Sequence, residues 1–189
     1  MASLKLDSVL SRSDTQEIVD AVDALRTERR LSGRGATQSN GKGRQFQFAV
    51  DERHHWWTLA FDDGERQWFR DGIVRRPQDE PRPAEFFQPL PQLLQMLWPA
   101  KLLTWAPRGS FYPVLVQRVG RRSLLITFEH VDDPAFRQTL VVDEETGIAK
   151  RFTGFGHAVI LTSIESLDAW DPDKEPVFAP LIGPIPTDY

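Results

Sequence analysis

Histidine is the residue type best suited to acid–base or metal chemistry, and the chain has four: His54, His55, His130 and His157. The adjacent pair His54-His55 lies in a run that alternates in polarity like a β-strand. Neighbouring strand residues point to opposite faces, so these two imidazoles do not readily share one metal ion. A third ligand at metal-binding spacing is missing from the sequence. We therefore expect no metal site, and we expect His130 and His157 to cap strands or turns.

Paired carboxylates occur at Asp62-Asp63, Asp132-Asp133 and Glu144-Glu145. All three pairs fall where turns are expected, and solvated acidic residues are common in turns. Acid–base catalysis requires carboxylates with shifted pKa values in a cleft. The chain also lacks the Gly-x-Ser-x-Gly pattern of a serine nucleophile. The catalytic residues are unknown at this point, and the sequence leaves open whether the protein is an enzyme.

The glycine-rich, basic stretch 33–44 is the one candidate for a phosphate-binding loop. Such a loop follows a strand, precedes a helix and closes on Gly-Lys-Ser/Thr. Here Gly41-Lys42 is followed by Gly43 and then by residues with a strand pattern. We interpret the stretch as a mobile hairpin connection.

Large aromatic residues are concentrated in three successive predicted strands. Trp56 and Trp57 are adjacent, so they face opposite sides of the sheet. A sheet with one face in water does not normally carry tryptophan on both faces. We expect one face to be covered by helices and the other by a cavity wall, a partner or the C-terminal tail. The set comprises Phe46, Phe48, Trp56, Trp57, Phe61, Trp68 and Phe69.

Composition excludes several classes of function. The 189 residues carry a net charge of −4 and include no cysteine. The negative charge argues against a nucleic-acid partner, and the missing cysteines exclude disulfides, thiolate chemistry and cysteine-based zinc sites. The sequence has no apolar run of the ~18 residues that a membrane span requires, and its start lacks the pattern of a signal peptide. We expect a cytoplasmic protein without a cofactor.

The elements follow from periodicity and turn signals. Residues 13–30 have the apolar spacing of a helix, and an antiparallel meander follows from Leu31 to Arg76. Asp63-Gly64 and Asp71-Gly72 are predicted hairpin turns within it. The proline-rich stretch 77–91 cannot form regular structure for long.

A short leucine-rich helix comes next, carrying Leu90, Leu93, Leu94 and Leu97 and ending before Pro99. Five further strands are predicted, and the tail 171–189 is rich in proline. We predict a single domain over 1–189 with its β core at about 31–168. The five strands are 114–119, 123–130, 137–144, 148–155 and 158–167.

The order of these elements resembles the LolA/LolB superfamily of lipoprotein carriers. The wording that carries the resemblance is Val142 to Arg151, which reads VDEETGIAKR and matches a late hairpin of related proteins. The resemblance implies an α+β fold, in which an open half-barrel of antiparallel strands has an N-terminal helix and a short leucine-rich lid helix. It also implies a concave apolar cavity under the lid.

The function that the resemblance implies is binding of a hydrophobic or amphipathic small molecule, such as a lipid or another compound with an acyl chain, in the half-barrel. Two alternatives stay open: a small cofactor-free biosynthetic enzyme with a similar cavity, and an interaction or regulatory domain that binds a protein partner or a second copy of itself. For the enzyme, His55 and Arg70 are candidate polar residues at the rim. The candidate lining of the cavity is Phe46, Phe48, Trp57, Leu59, Phe61, Trp68, Leu94, Leu97 and Trp98.

Overall fold

A computed structural model describes residues 4–84, 90–102, 104–105 and 110–167. It contains one eleven-stranded antiparallel sheet with an N-terminal helix, so the predicted α+β, mainly antiparallel class is confirmed. The predicted tail 171–189 lies outside the described residues, as does part of the proline-rich stretch 77–91.

The first half of the sheet is a meander of six strands. Asp71 and Gly72 join β4 to β5 with φ angles of 51° and 74°, the conformation of a tight hairpin turn. The turn at Asp63-Gly64 joins β3 to β4, so both predicted turns are confirmed. The strands are β1 Arg30–Ser39, β2 Lys42–Asp51, β3 Trp56–Phe61, β4 Arg66–Arg70, β5 Ile73–Arg75 and β6 Arg82–Pro83.

The second half is a meander of five strands, as the alternating pattern predicted. Its first strand, β7, lies at the edge of the sheet, where backbone N–H groups of Asp7 and Leu10 donate to Val116 and Val114. The segment before the helix therefore shields that edge from pairing with another chain. The strands are β7 Phe111–Val119, β8 Ser123–His130, β9 Arg137–Asp143, β10 Ala149–Gly154 and β11 His157–Ser166.

The two meanders join through a single strand pair, β1 with β11. The strand order is β6-β5-β4-β3-β2-β1-β11-β10-β9-β8-β7. The pairing runs antiparallel from Leu31 opposite Ser166 to Ser39 opposite His157, with a bulge at Arg34/Gly35. We call this pair the seam.

The glycine-rich stretch 33–44 is β-hairpin rather than the mobile connection that we expected. Only Asn40 and Gly41 form the turn, with φ angles of 49° and 79°. A Cβ on Gly33 would lie 2.7 Å from the ring of Phe48, and one on Gly35 would lie 2.4 Å from the ring of Phe46. The glycines leave room for phenylalanine rings to lie across β1, a use of glycine that composition alone does not reveal.

The N-terminal helix is shorter than the predicted 13–30. A 3₁₀ turn at Arg12–Asp14 leads into α1, Thr15–Asp23. Ile18 and Val22 are 0% and 1% exposed, so the predicted apolar face does pack on the sheet. The helix ends early because Arg30 already pairs with Asp51 in the sheet, and tertiary pairing outweighs local helix propensity.

The leucine-rich stretch forms a compact lid, here called the lid segment (residues 90–102). Its helix, α2, spans only Gln92–Gln95, and a 3₁₀ turn follows at Pro99–Lys101. Prolines at 91 and 99 restrict the backbone on both sides and limit the helix to one turn. Leu94, Met96 and Leu97 are at most 1% exposed.

A single hydrophobic cluster joins α1, the lid segment and one face of the sheet. We call that face, which carries Phe46, Phe48, Leu59 and Phe61, the inner face. The opposite, outer face carries Trp56, since Trp56 pairs with Asp51 while Trp57 pairs with Val50. The two tryptophans thus face opposite ways, as alternation predicted.

Candidate ligand-binding site

A cavity of about 450 Å³ lies between the lid segment and the inner face of the second meander. Its apolar walls are leucine and phenylalanine, and its polar groups are amides, hydroxyls and one imidazole. The lining residues are Gln92, Gln95, Leu102, Thr104, Ser110, Phe111, Gln138, Phe152, Gly154, Phe155 and His157. Volume and mixed lining are those of a small-molecule pocket.

The lid segment contributes two glutamines to the cavity lining, the exposed Gln92 and the buried Gln95. The neighbours of Gln95, Leu94 and Met96, anchor the lid in the core, and Gln95 itself is 8% exposed. The amide Nε2 donates to the carbonyl of Leu90 at 2.8 Å. The amide Oε1 is buried without a hydrogen-bond partner among the described residues. A buried acceptor in this state costs about 1–3 kcal/mol unless a bound molecule donates to it.

The sheet supplies the opposite wall. The Thr104 hydroxyl donates to Oε1 of Gln138, and the imidazole of His157 lies 6.0 Å from the ring of Phe152. The Nε2 atom of His157 is buried and unpartnered within the described part of the chain. Gly154 keeps this wall open, because a Cβ there would lie 3.2 Å from Cγ of Gln138.

The mouth of the cavity is aromatic. Phe155 is 88% exposed and Phe136 is 44% exposed, and their rings meet edge to face with centroids 5.9 Å apart. Phe111 lines the cavity and stacks edge to face on His130 at 5.0 Å. Exposed rings at a cavity mouth provide apolar surface for the part of a ligand that extends outside.

A buried arginine fixes the lid segment to the rest of the fold. Arg29 is 1% exposed. Its Nε donates to the Leu97 carbonyl at 2.8 Å, its Nη1 to the Thr27 hydroxyl at 2.6 Å, and its Nη2 to the Gly147 carbonyl at 3.4 Å. Burial, with a smaller contribution from the nearby charge of Arg26, lowers the pKa of Arg29 to about 10. The residue therefore connects the segment between α1 and β1, the lid segment and the β9–β10 turn.

None of the described carboxylates lines the cavity, and several of them bind turn residues. Asp51 accepts from the backbone N–H of His54 at 3.0 Å and contacts its Nδ1 at 2.8 Å. Asp62 accepts from the backbone N–H of Gln45 at 3.0 Å, and Asp63 pairs with Arg44 at 2.7 Å. Among the described residues, no group of three histidine or acidic side chains could hold a metal ion.

Most of the predicted lining residues come together, but in the core beside the cavity. Seven of them are at most 6% exposed, and Trp57 packs half-buried against the same cluster. They belong to β2, β3 and the lid segment, whereas the cavity lies against β9, β10 and β11. The seven are Phe46, Phe48, Leu59, Phe61, Leu94, Leu97 and Trp98.

The other three predicted residues lie elsewhere. Trp68 pairs with Thr58 and shares the outer face with Trp56, and Arg70 lies on that face with 66% of its side chain exposed. The interpretation of His54-His55 as part of a strand is wrong, because both residues lie in a turn. His55 is in the turn before β3 with a φ angle of 53°, because the β2–β3 connection extends past Asp51-Glu52 to residue 55.

The polar cavity residues were not found from the sequence. Thr104, Gln138 and His157 come from distant segments and share no local pattern. Gln95 gave one signal, since it is a polar residue inside the apolar run LLQMLW. A buried position in such a run places its amide in the core or in a cavity.

Comparison with known proteins shows the fold. No family model and no curated protein matches the chain. A crystal structure of MucB matches with a TM-score of 0.50 and 18% identity over 88% of this chain and 64% of MucB. A Pseudomonas aeruginosa MucA/MucB complex matches with a TM-score of 0.47 and 18% identity, over 85% of this chain and 59% of the matched chain. An uncharacterised conserved protein from Thermus thermophilus matches with a TM-score of 0.46 and 9% identity, over 84% of this chain and 94% of the matched chain.

The chain thus spans less than two thirds of the MucB chain. At 18% identity the similarity to MucB concerns the fold alone. Within the described residues, no helix has the length and apolar character needed to cross a membrane.

Proposed function

We propose that this protein binds a small amphipathic molecule in the cavity under the lid segment. The observation that carries the proposal is the amide of Gln95, which is buried, lines the cavity and has an unpartnered Oε1 among the described residues. Buried polar groups in folded proteins are almost always hydrogen-bonded. A ligand hydroxyl or N–H group at this position would complete the bonding of Oε1.

The lining supports an uncharged polar group on that ligand. The described residues that line the cavity include no arginine, lysine, aspartate or glutamate. A charged group would lose its hydration there without gaining an opposite charge, which is costly. Gln95, Gln138 and His157 offer donors and acceptors to a hydroxyl or an amide.

The apolar part of the ligand would lie against phenylalanine. Phe152 forms the inner wall, and Phe155 at the mouth is largely exposed. Covering apolar surface contributes about 25 cal/mol per Å². This arrangement places the polar end of the ligand inside and its apolar end toward the mouth.

The proposal agrees with the superfamily suggested by the phrase VDEETGIAKR, from which we infer a LolA/LolB-like protein. In that superfamily ligands are held between the sheet and its helical lid. Here the seven buried aromatic and aliphatic residues belong to the adjoining core and do not line the cavity, and we infer that the polar lining residues select the ligand.

The decisive experiment is native mass spectrometry of the protein from its own host, with organic extraction and identification of any adduct. We expect an uncharged amphipath to remain bound to the wild type and to the control Gln117→Leu, whose side chain lies on β7 outside the cavity. Gln95→Leu, which removes the unpartnered acceptor at similar size, should lose it or bind at least about tenfold more weakly.

Folding of each variant is checked by circular dichroism. Equal retention by Gln95→Leu and wild type would contradict the proposed site. A wild-type protein that carries no adduct, and that no hydroxylated or amide amphipath stabilises in thermal melts, would contradict ligand binding here and favour the enzyme or interaction alternatives.

A further inference from the structure

The outer face carries a second concave surface, of about 760 Å³, which lies over β3, β4 and β5. We call it the outer groove. Its floor includes Trp56 and Trp68, both half-buried, and its rim includes Arg66, Arg70 and Arg75, all exposed. It lies on the opposite side of the sheet from the ligand cavity, so the two sites share no lining residue among those described.

The charge of the outer groove is opposite to that of the protein. Among the residues that the structure describes, four arginines line it and no acidic residue does, although the whole chain has a net charge of −4. Two aspartates nearby form ion pairs with groove arginines. The Asp51 Oδ2 atom lies 3.5 Å from Nε of Arg30, and the Asp71 Oδ2 atom lies 3.6 Å from Nε of Arg70. The Arg70 pair is largely exposed, so water and salt screen it and leave the guanidinium available.

Tryptophan and arginine together are the residue types that contribute most to protein–protein binding energy. Tryptophan supplies a large rigid apolar surface, while the planar guanidinium binds carboxylates through two parallel hydrogen bonds. We propose that the outer groove binds an acidic peptide segment of a partner protein, with carboxylates on Arg70 and Arg75 and an apolar side chain on Trp68.

The charge distribution favours a peptide over a nucleic acid. A nucleic acid gains affinity by contacting many phosphates along a basic surface. Here the groove is basic while the chain as a whole is acidic, and that net charge would repel the rest of a long polyanion. A short acidic segment meets only the groove.

The test is fluorescence anisotropy of the full chain with a labelled peptide of alternating glutamate and leucine. A peptide with lysine in place of glutamate is the control ligand. We expect the acidic peptide to bind, and we expect its affinity to fall as the NaCl concentration rises from about 50 to about 200 mM. Arg70→Ala/Arg75→Ala should weaken binding at least about tenfold. Arg121→Ala/Arg122→Ala removes the same charge from an exposed turn outside the outer groove and should leave binding unchanged.

The variant Trp68→Leu separates the apolar contribution to binding from that of charge. It should weaken binding of the glutamate–leucine peptide more than binding of an all-glutamate peptide. Equal effects of the two double-arginine variants would overturn the proposal. Tighter binding of a single-stranded oligonucleotide at the same arginines would also overturn it.

The chain's own sequence after Leu167 is acidic, with Asp168, Asp171, Asp173 and Glu175. The full-length variant Asp168→Lys/Asp171→Lys/Asp173→Lys/Glu175→Lys therefore completes the test. If the acidic peptide binds this variant but not the wild type, the groove belongs to the chain's own segment and an external partner is ruled out.

Discussion

At the scale of single residues, Arg29 is the most unusual feature of this protein. Its guanidinium is buried against the oxygens of Thr27, Leu97 and Gly147. Burial of a cation is costly, and here hydrogen bonds to neutral oxygens offset the cost. Because Leu97 belongs to the lid segment and Gly147 to the β9–β10 turn, one side chain holds both in place.

We predict that Arg29→Met lowers the free energy of unfolding by about 1–3 kcal/mol, since two buried carbonyls lose their donors. Urea denaturation followed by circular dichroism measures the change. Arg34→Met, at an exposed position on β1, is the matched control and should change stability by less than about 0.5 kcal/mol. Similar stabilities of the two variants would show that Arg29 does not hold the lid segment.

At the scale of elements, turns depend on buried aspartates at strand ends. Asp143 is 3% exposed, and it accepts from the backbone N–H groups of Glu145 and Thr146 at 3.1 and 3.0 Å. Burial alone raises the pKa of Asp143, but its hydrogen bonds with Lys150 and Thr146 outweigh burial and lower it overall. A depressed pKa in the folded state means that the ionised carboxylate stabilises the β9–β10 turn.

The sign of the pH dependence follows. The contribution of Asp143 is fully present above the pKa of an unfolded aspartate, about 4, and is lost as pH falls through the lower folded value. Asp143→Asn should therefore cost about 1–3 kcal/mol at neutral pH and progressively less in acid. Urea midpoints of both proteins from about pH 7 to about pH 3 measure this.

Asp79→Asn, in an exposed turn, is the control, and its urea midpoint should equal that of the wild type at every pH. If the difference in urea midpoint between Asp143→Asn and wild type stayed constant down to the lowest pH, the role of ionisation would be refuted.

The elements also show what the sequence could predict. Alternation predicted β2 to β5 of the first meander and all five strands of the second, because one face of each is buried and the period of two is local. The end of α1 was missed, since it depends on pairing of Arg30 with Asp51 across the sheet. Gly33 and Gly35 were taken for loop residues, because their contacts are with rings on a neighbouring strand.

For the candidate site, the sequence predicted the apolar core beside the cavity but none of the residues that line the cavity. Phe46, Leu59 and Leu97 follow from apolar periodicity. Gln138 on β9 and His157 on β11 flank β10 only because of the order of strands in the sheet, and no spacing in the sequence encodes that order.

At the scale of the whole molecule, the seam joins the two halves. On β1, Gly33 and Gly35 lie directly against β11: an added Cβ would be 2.3 Å from the Ser163 carbonyl oxygen and 2.6 Å from that of Ile160. No backbone shift on one strand relieves both this contact and the contact with the phenylalanine rings of β2. The seam is therefore intolerant of a single methyl group.

Gly35→Ala should destabilise the protein by about 2 kcal/mol or more, through overpacking of the seam. Gly43→Ala on β2 of the same hairpin is the control, because an added Cβ there meets nothing within 4 Å. It should be neutral or slightly stabilising. Differential scanning calorimetry compares the two, and equal melting temperatures would contradict the role assigned to the seam glycines.

The seam also has a consequence for how the chain is made. Thr37 on β1 and Ala158 on β11 are 121 residues apart. At ~5–20 residues per second, a ribosome needs ~6–24 s to make that stretch. From the completion of β6 at Pro83 until β11 is made, the first meander exposes the unpaired edge of β1 to every nascent copy on the same messenger. We expect slower translation to lengthen that interval, so rare codons in the second half of the coding sequence should lower the yield of soluble protein.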